Sequence, residues 1–297
     1  VYPQNRYGHD PDDIKFRFPR QTVVYVSPHD SRVIYQASHV LHRSLDEGVT
    51  WDIISPDLTA HEAQYQIVSG SPITRDVTGE EVYSTIYSMI ESRLEKGVIW
   101  VGANDGPVNV SRDNGKTWKN VTPKGLGDFA RISLVEASHF APGTAYLAAN
   151  RYQQDDFAPY FFKTTDFGAT WTKIINGIAP TEFARAIRED PVRKGLLFAG
   201  TERGAWVSFN DGAQWQRLQL NLPIVPVHDL TIKDGDLIVA TQGRSFWSLD
   251  DLTLLRNWDP AWFDGKPHLL ASRPVYRIDG GAGQASLTAG ASPRTEA

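Results

Sequence analysis

The sequence predicts an all-β chain, a β-propeller of four-stranded blades with about five blades visible and part of a larger ring. Three observations carry that expectation. A short box, [Ser/Thr]-x-[Asp/Asn]-x-Gly-x-x-Trp, recurs as "SLDEGVTW" ending at Trp51, "SRDNGKTW" at Trp118, "TTDFGATW" at Trp171 and "SFNDGAQW" at Trp215. A degraded copy, "WSLDDL", begins at Trp247. The hydroxyl residues Ser44, Ser111, Thr164, Ser208 and Ser248 stand 67, 53, 44 and 40 residues apart, a period converging on the length of one propeller blade.

Each repeat reads as four short strands. The first runs into a turn, as in "TVVYVSPHDS", "STIYSMIESRLEKG", "RISLVEASHFAPG", "ARAIREDPVRKG" and "VHDLTIKDG", where β-branched and aromatic residues give way to Pro, Gly, Asp or Lys. The second is "VIYQAS", "VIWVGAN", "TAYLAAN", "LLFAGT" and "LIVATQ". Near-continuous apolar runs suit strands packed on both faces between neighbouring blades. A third strand leads into the box, and a fourth leaves it as "WDIISP", "WKNVTP", "WTKIIN" and "WQRLQL". The blades are expected over 22–258, after a turn-rich lead-in at 1–21; a post-propeller segment at 259–278 and a flexible tail at 279–297 follow.

The box itself reads as a clip. Between strands three and four the chain must reverse tightly. Gly48, Gly115, Gly168 and Gly212 supply positive φ, and Asp46, Asp113, Asp166 and Asn210 accept backbone N–H bonds nearby. The Ser or Thr adds a second local bond, while Trp51, Trp118, Trp171 and Trp215 bury indoles against adjoining strands. A catalytic centre is built once, so a device repeated at four peripheral turns is structural.

Composition narrows the function classes. A net charge of −5 over 297 residues removes the main electrostatic reason to expect nucleic-acid binding. With no cysteine, thiol catalysis, disulfides and Cys-ligated metals are excluded. No apolar run is long enough for a membrane-spanning helix, and no nucleotide fingerprint is present. His29, His42, His139 and His228 lack paired metal-ligand spacing and read as turn or core residues, so neither a metal nor a cofactor is expected.

The box resembles the Asp-box of bacterial neuraminidase repeats, found in sialidases, xyloglucan-cleaving glycoside hydrolases, a photosystem assembly factor and sortilin-type receptors. Longer phrases extend the resemblance: "SPHDSRVIYQASHVLHRSLDEGVTWDIISPDLT", "EKGVIWVGANDGPVNVSRDNGKTW", "DDFAPYFFKTTDFGATWTKI" and "IKDGDLIVATQGRSFWSLDDLT". From about Phe16 to Tyr276 the chain is similar to the propeller of sortilin-like or glycosyl-hydrolase-like bacterial secreted repeat proteins. That resemblance implies an extracellular or periplasmic location. It also implies further blades in a preceding N-terminal section; that section or another polypeptide is the partner expected to complete the ring.

In a propeller whose first strands line the channel, the loops that begin strand one share a face with the loops joining strands two and three, opposite the boxes. Candidate binding residues on that face are Arg131, Arg151, Tyr152, Arg185, Glu202, His228 and Arg244. Arg131 and Arg185 can hold a carboxylate through bidentate contacts, or satisfy neighbouring acids across the channel. For glycoside hydrolysis, which needs two carboxylates flanking the scissile bond, the candidates are Asp155 or Asp156 with a partner from another blade, such as Glu81, Asp105 or Glu202. "FRFPR", from Phe16 to Arg20, invites comparison with the Phe/Tyr-Arg-Ile-Pro signature of sialidases but differs at its third residue. The expected function is a non-catalytic binding or scaffolding propeller that presents its channel mouth to a protein, peptide or glycan. The alternative is a glycoside hydrolase acting on a polysaccharide in a cleft on that face.

Overall fold

The computed structural model describes residues 10–68, 70–75, 82–259, 261, 267 and 269. Five antiparallel sheets follow one another along the chain, each with its strands in sequence order. The first comprises β1 (Val24–Val26), β2 (Ile34–Ala37), β3 (Leu41–Ser44) and β4 (Asp52–Ile53); the second β5 (Ile86–Glu91), β6 (Ile99–Ala103), β7 (Val108–Ser111) and β8 (Lys119–Asn120). The third comprises β9 (Arg131–Ala137), β10 (Ala145–Arg151), β11 (Asp156–Thr164) and β12 (Thr172–Lys173); the fourth β13 (Ala184–Glu189), β14 (Leu197–Thr201), β15 (Gly204–Ser208) and β16 (Gln216–Arg217). The fifth has three strands, β17 (Val227–Lys233), β18 (Asp236–Thr241) and β19 (Phe246–Leu249), and passes into a short helix, α1 (Thr253–Asn257). This is the all-β propeller architecture that the repeat predicts.

The core lies between blades. Every residue of β6 and of β14 is buried, which is why "IWVGA" and "LFAGT" are apolar or small on both faces. Ile99 and Val101 pack with Tyr35 and Leu41 of the first blade, Trp100 with Ile132 and Leu147 of the third, and Phe161 with Ile187 and Trp206 of the fourth. Phe198 and Leu230 join the fourth blade to the fifth. These four clusters link the five sheets in series. The outward face of the first blade is partly covered by the lead-in, where Phe16 meets His42 edge-to-face at 4.8 Å and Phe18 stacks on it at 6.1 Å. On the same face Val24 is 63% exposed and Val26 51%, and on the outward face of the fifth Phe246 is 76% exposed.

The boxes close as local hydrogen-bond chemistry requires. In the second, Gly115 N–H donates to Ser111 Oγ at 2.8 Å, Ser111 Oγ–H to Asp113 Oδ1 at 3.0 Å, and Thr117 N–H and Oγ1–H to the two carboxylate oxygens at 2.8 and 2.6 Å. The first and third boxes repeat this set, and the fourth keeps the backbone bond, Gln214 N–H to Asn210 Oδ1 at 2.9 Å. Thr50 and Thr170 hold the carboxyls of Asp46 and Asp166 down to about 2. Besides the glycine, the residue before it also adopts positive φ: Glu47, Asn114, Phe167 and Asp211 lie between 57° and 64°.

The tryptophans do more than pack locally. Trp118 Nε1–H donates to Ile54 O at 2.9 Å, Trp171 to Val121 O at 2.7 Å and Trp215 to Ile174 O at 2.8 Å, each acceptor belonging to the preceding blade. Every acceptor stands three residues beyond the preceding box's Trp. Trp51, in the first blade, instead bonds Gly48 O of its own turn at 2.9 Å. Gly168 explains why the box needs no side chain there: at φ +80° a Cβ would lie 2.6 Å from Val121 Cβ. In the fifth repeat Ser248 still donates to Asp250 at 2.7 Å, but Leu255 stands where the indole would be and packs in the core between the fourth and fifth blades.

The described part of the lead-in is tied to the blades rather than loose. Arg17, 5% exposed, donates from Nε to Ser84 O at 3.0 Å and from Nη2 to Asp57 Oδ2 at 2.5 Å. Its sequence neighbourhood invited comparison with a ligand-binding arginine, yet its hydrogens are spent joining the lead-in to the exit of the first blade and the start of the second. Of the post-propeller segment only 259, 261, 267 and 269 are described; the tail at 279–297 lies outside the described residues.

Candidate functional site

The inner strands begin around a polar cavity of about 850 Å³. Each described blade after the first contributes to its wall: Tyr87 and Asn104 from the second, Arg131, Asn150 and Tyr152 from the third, Arg185 from the fourth, and His228, Asp229 and Gln242 from the fifth. Pro19, Arg20 and Gln21 of the lead-in complete it. The contributing positions are starts of first strands and loops between second and third strands, which propeller geometry places at one mouth of the channel. No box residue lines it.

Four of the sequence-derived binding candidates therefore come together: Arg131, Tyr152, Arg185 and His228. Their chemistry differs. Arg185 donates from Nε to Glu202 Oε2 at 2.7 Å and pairs through Nη2 at 2.5 Å, so its charge is matched. His228 shares a 2.8 Å hydrogen bond with Gln242 Oε1; burial, with Arg185 adding to it, lowers its pKa and favours the neutral imidazole. Tyr152 stacks on Phe183 at 5.0 Å, with the Arg185 guanidinium 5.9 Å from its ring. Asp229, the carboxylate in the wall, accepts from Arg188 Nη2 at 2.9 Å and from Leu230 N–H at 2.8 Å.

Arg131 stands apart. It pairs in register with Asn150, a neutral amide, and donates from Nη2 to Gln153 Oε1 at 3.2 Å. Its guanidinium lies 5.3 Å from the Tyr87 ring and 6.0 Å from that of Tyr152. Its Nε is buried with no hydrogen-bond partner, and among the described residues no carboxylate lies within ion-pair distance.

The remaining candidates sit elsewhere. Arg151 donates to Asp156 Oδ2 at 2.9 Å and to Asp128 O at 3.2 Å. Asp156 also accepts from Tyr160 Oη–H at 2.7 Å and Ala158 N–H at 3.1 Å; burial opposes its ionisation, yet these donors hold its carboxyl below the usual range. It is thus an ionised acceptor at the first position of β11. Asp155 adopts φ 56° as the cap of a single 3-10 turn, Tyr152–Gln154. Asp105, 5% exposed, accepts from Ala60 and His61 N–H at 3.0 and 3.2 Å, and burial raises its pKa. Arg244 offers its carbonyl to Trp247 Nε1 at 2.9 Å and does not line the cavity. Glu81 lies outside the described residues.

Tyr87, Asn104, Asn150 and Gln242 also line this mouth. Their signal is positional: each sits at the start of a first strand or the end of a second. The described residues contain no group of three or more His, Cys, Asp or Glu placed to hold a metal ion, and no helix among them is long and apolar enough to cross a membrane.

No family model and no curated protein matches the chain. Solved structures do. The xyloglucanase of glycoside hydrolase family 74 from Xanthomonas campestris is 20% identical with a TM-score of 0.56, over 77% of this chain and 36% of that one. The family 74 enzyme of Niastella koreensis is 15% identical with a TM-score of 0.54, over 77% and 36%. An ancestral family 74 enzyme is 13% identical with a TM-score of 0.54, over 84% and 32%. The chain spans about a third of the length of these structures, and at such identities the likeness is one of fold.

Proposed function

We propose that this chain is the binding part of an Asp-box propeller of the sortilin-like bacterial secreted type, holding a protein, peptide or glycan at the cavity around Arg131, Tyr152, Arg185 and His228 without transforming it. The observation that carries this reading is the charge of the wall. Its described residues include one carboxylate, Asp229, already held by Arg188, beside guanidinium, amide, phenol and imidazole groups. Glycoside hydrolysis, the activity named for the structural neighbours, requires two carboxylates on either side of a sugar linkage. Asp156 and Glu202 are each committed to an arginine, and Asp105 to backbone N–H groups.

The test is to incubate the protein with xyloglucan and a panel of plant and bacterial polysaccharides, measuring retention and new reducing ends together. Retention of a glycan, or capture of peptides from a peptide array, without sugar release is the expected result. Reproducible release of sugar, abolished in the Asp155→Asn, Asp156→Asn double variant, overturns it in favour of a glycoside hydrolase. The exposed Val24, Val26 and Phe246 support a second part of the same reading, that further blades cover the two outward faces. A monodisperse monomer of this chain that binds no apolar dye contradicts that part.

A further inference from the structure

We infer that Arg131 is a carboxylate-binding group and that the cavity takes an acidic peptide, a conclusion that rests on the binding reading above. Of the other charges in the wall, Arg185 is paired with Glu202 and Asp229 with Arg188, and Arg20 is engaged in an interaction of its own. Arg131 has five N–H donors and a single hydrogen bond, to a neutral amide, and its Nε is buried without a partner. An under-bonded guanidinium in a concave site is a standing preference for an anion, and a carboxylate satisfies it with two parallel N–H···O bonds. Its setting adds to that preference, because Gln153 fixes one end of the fork and the rings of Tyr87 and Tyr152 stand within 6.0 Å of the guanidinium.

The groups around Arg131 favour a peptide over an acidic sugar. A pyranose gains most from stacking on an open aromatic face, whereas Tyr152 is stacked on Phe183 at 5.0 Å and has two guanidinium groups within 6.0 Å of its ring. The wall instead carries amides: Asn104 Oδ1 accepts from Thr85 N–H, Asn150 Nδ2–H donates to Ala184 O and Gln242 Oε1 pairs with His228. This leaves the Asn104 and Gln242 amide N–H donors and the Asn150 Oδ1 acceptor for a peptide backbone. The under-bonded Arg131 fork fits one acidic side chain.

Hexapeptides with blocked termini, carrying Glu at one position or Gln in its place, test the inference against the 297-residue protein and its Arg131→Gln and Arg131→Lys variants. Oligogalacturonate forms a separate arm, and thermal melting establishes that each variant is folded. The wild type is expected to bind Glu peptides about ten- to a hundredfold more tightly than their Gln counterparts, a preference that weakens with salt. Arg131→Gln abolishes the preference and Arg131→Lys keeps part of it. Equal binding of Glu and Gln peptides by the wild type, or an intact preference in folded Arg131→Gln, overturns the inference and leaves the binding reading standing. Capture of oligogalacturonate alone, lost in Arg131→Gln, overturns the peptide assignment. Sugar release in the polysaccharide panel overturns the binding reading itself.

Discussion

Replacing Trp215 with Phe removes an inter-blade hydrogen bond while keeping an aromatic ring. The indole is 2% exposed and donates to Ile174 O of the preceding blade at 2.8 Å. Loss of the donor to a carbonyl that stays buried costs about 1–3 kcal/mol, and the missing part of the indole forfeits a further ~1 kcal/mol of apolar burial, about 2–4 kcal/mol together. Trp51→Phe is the internal control, because that indole is half-buried and bonds only Gly48 O of its own turn; its loss is expected at about 1 kcal/mol or less. Chemical denaturation of both variants beside the wild type, with the midpoint shift multiplied by the common slope, gives the two values. Equal losses at the two sites would refute the claim that the later tryptophans tie blades together.

Three further outcomes follow from the geometry. Asp46 and Asp166 have carboxyls held near 2 in the folded chain against an ordinary value near 3.8, so the unfolded chain binds more protons between those values; their contribution is complete above about pH 4 and lost as pH falls toward 2. Melting temperature measured from pH 2 to 5 should therefore fall less steeply on acidification in Asp166→Asn than in the wild type. Arg188→Met leaves Glu136, 6% exposed, without the guanidinium that holds it ionised against burial, and is expected to cost about 3–5 kcal/mol by denaturation. Asp113→Ala removes the acceptor of Thr117 N–H and should lower the melting temperature while leaving peptide or glycan retention unchanged, since that turn does not line the cavity.

Much of the architecture is legible in the sequence because the box is a local object. Ser111, Asp113, Gly115 and Thr117 satisfy one another within seven residues, so the spacing alone specifies the turn, and its repetition specifies the blades. Partners that come from another strand or blade leave no such mark. The acceptor of Trp171 is Val121, 50 residues earlier, and the donor to Asp57 is Arg17, 40 residues earlier. Register also decides which arginine is neutralised. Arg185 reaches Glu202 from the bulge in its hairpin, whereas Arg131 stands in register opposite Asn150. The sequence offers Asp156 as a candidate carboxylate, but in space Arg151 and Tyr160 both bond its Oδ2.

The backward reach of the tryptophans gives the array a direction. Trp118, Trp171 and Trp215 each seek a carbonyl already passed by the chain, at Ile54, Val121 and Ile174. During synthesis from the N-terminus, the indole of a newly emerged blade meets an acceptor that has already been made. The same blade, once seated, presents the next acceptor three residues past its own indole. Assembly can thus proceed one blade at a time, each step seating a donor that would otherwise be left for solvent to satisfy.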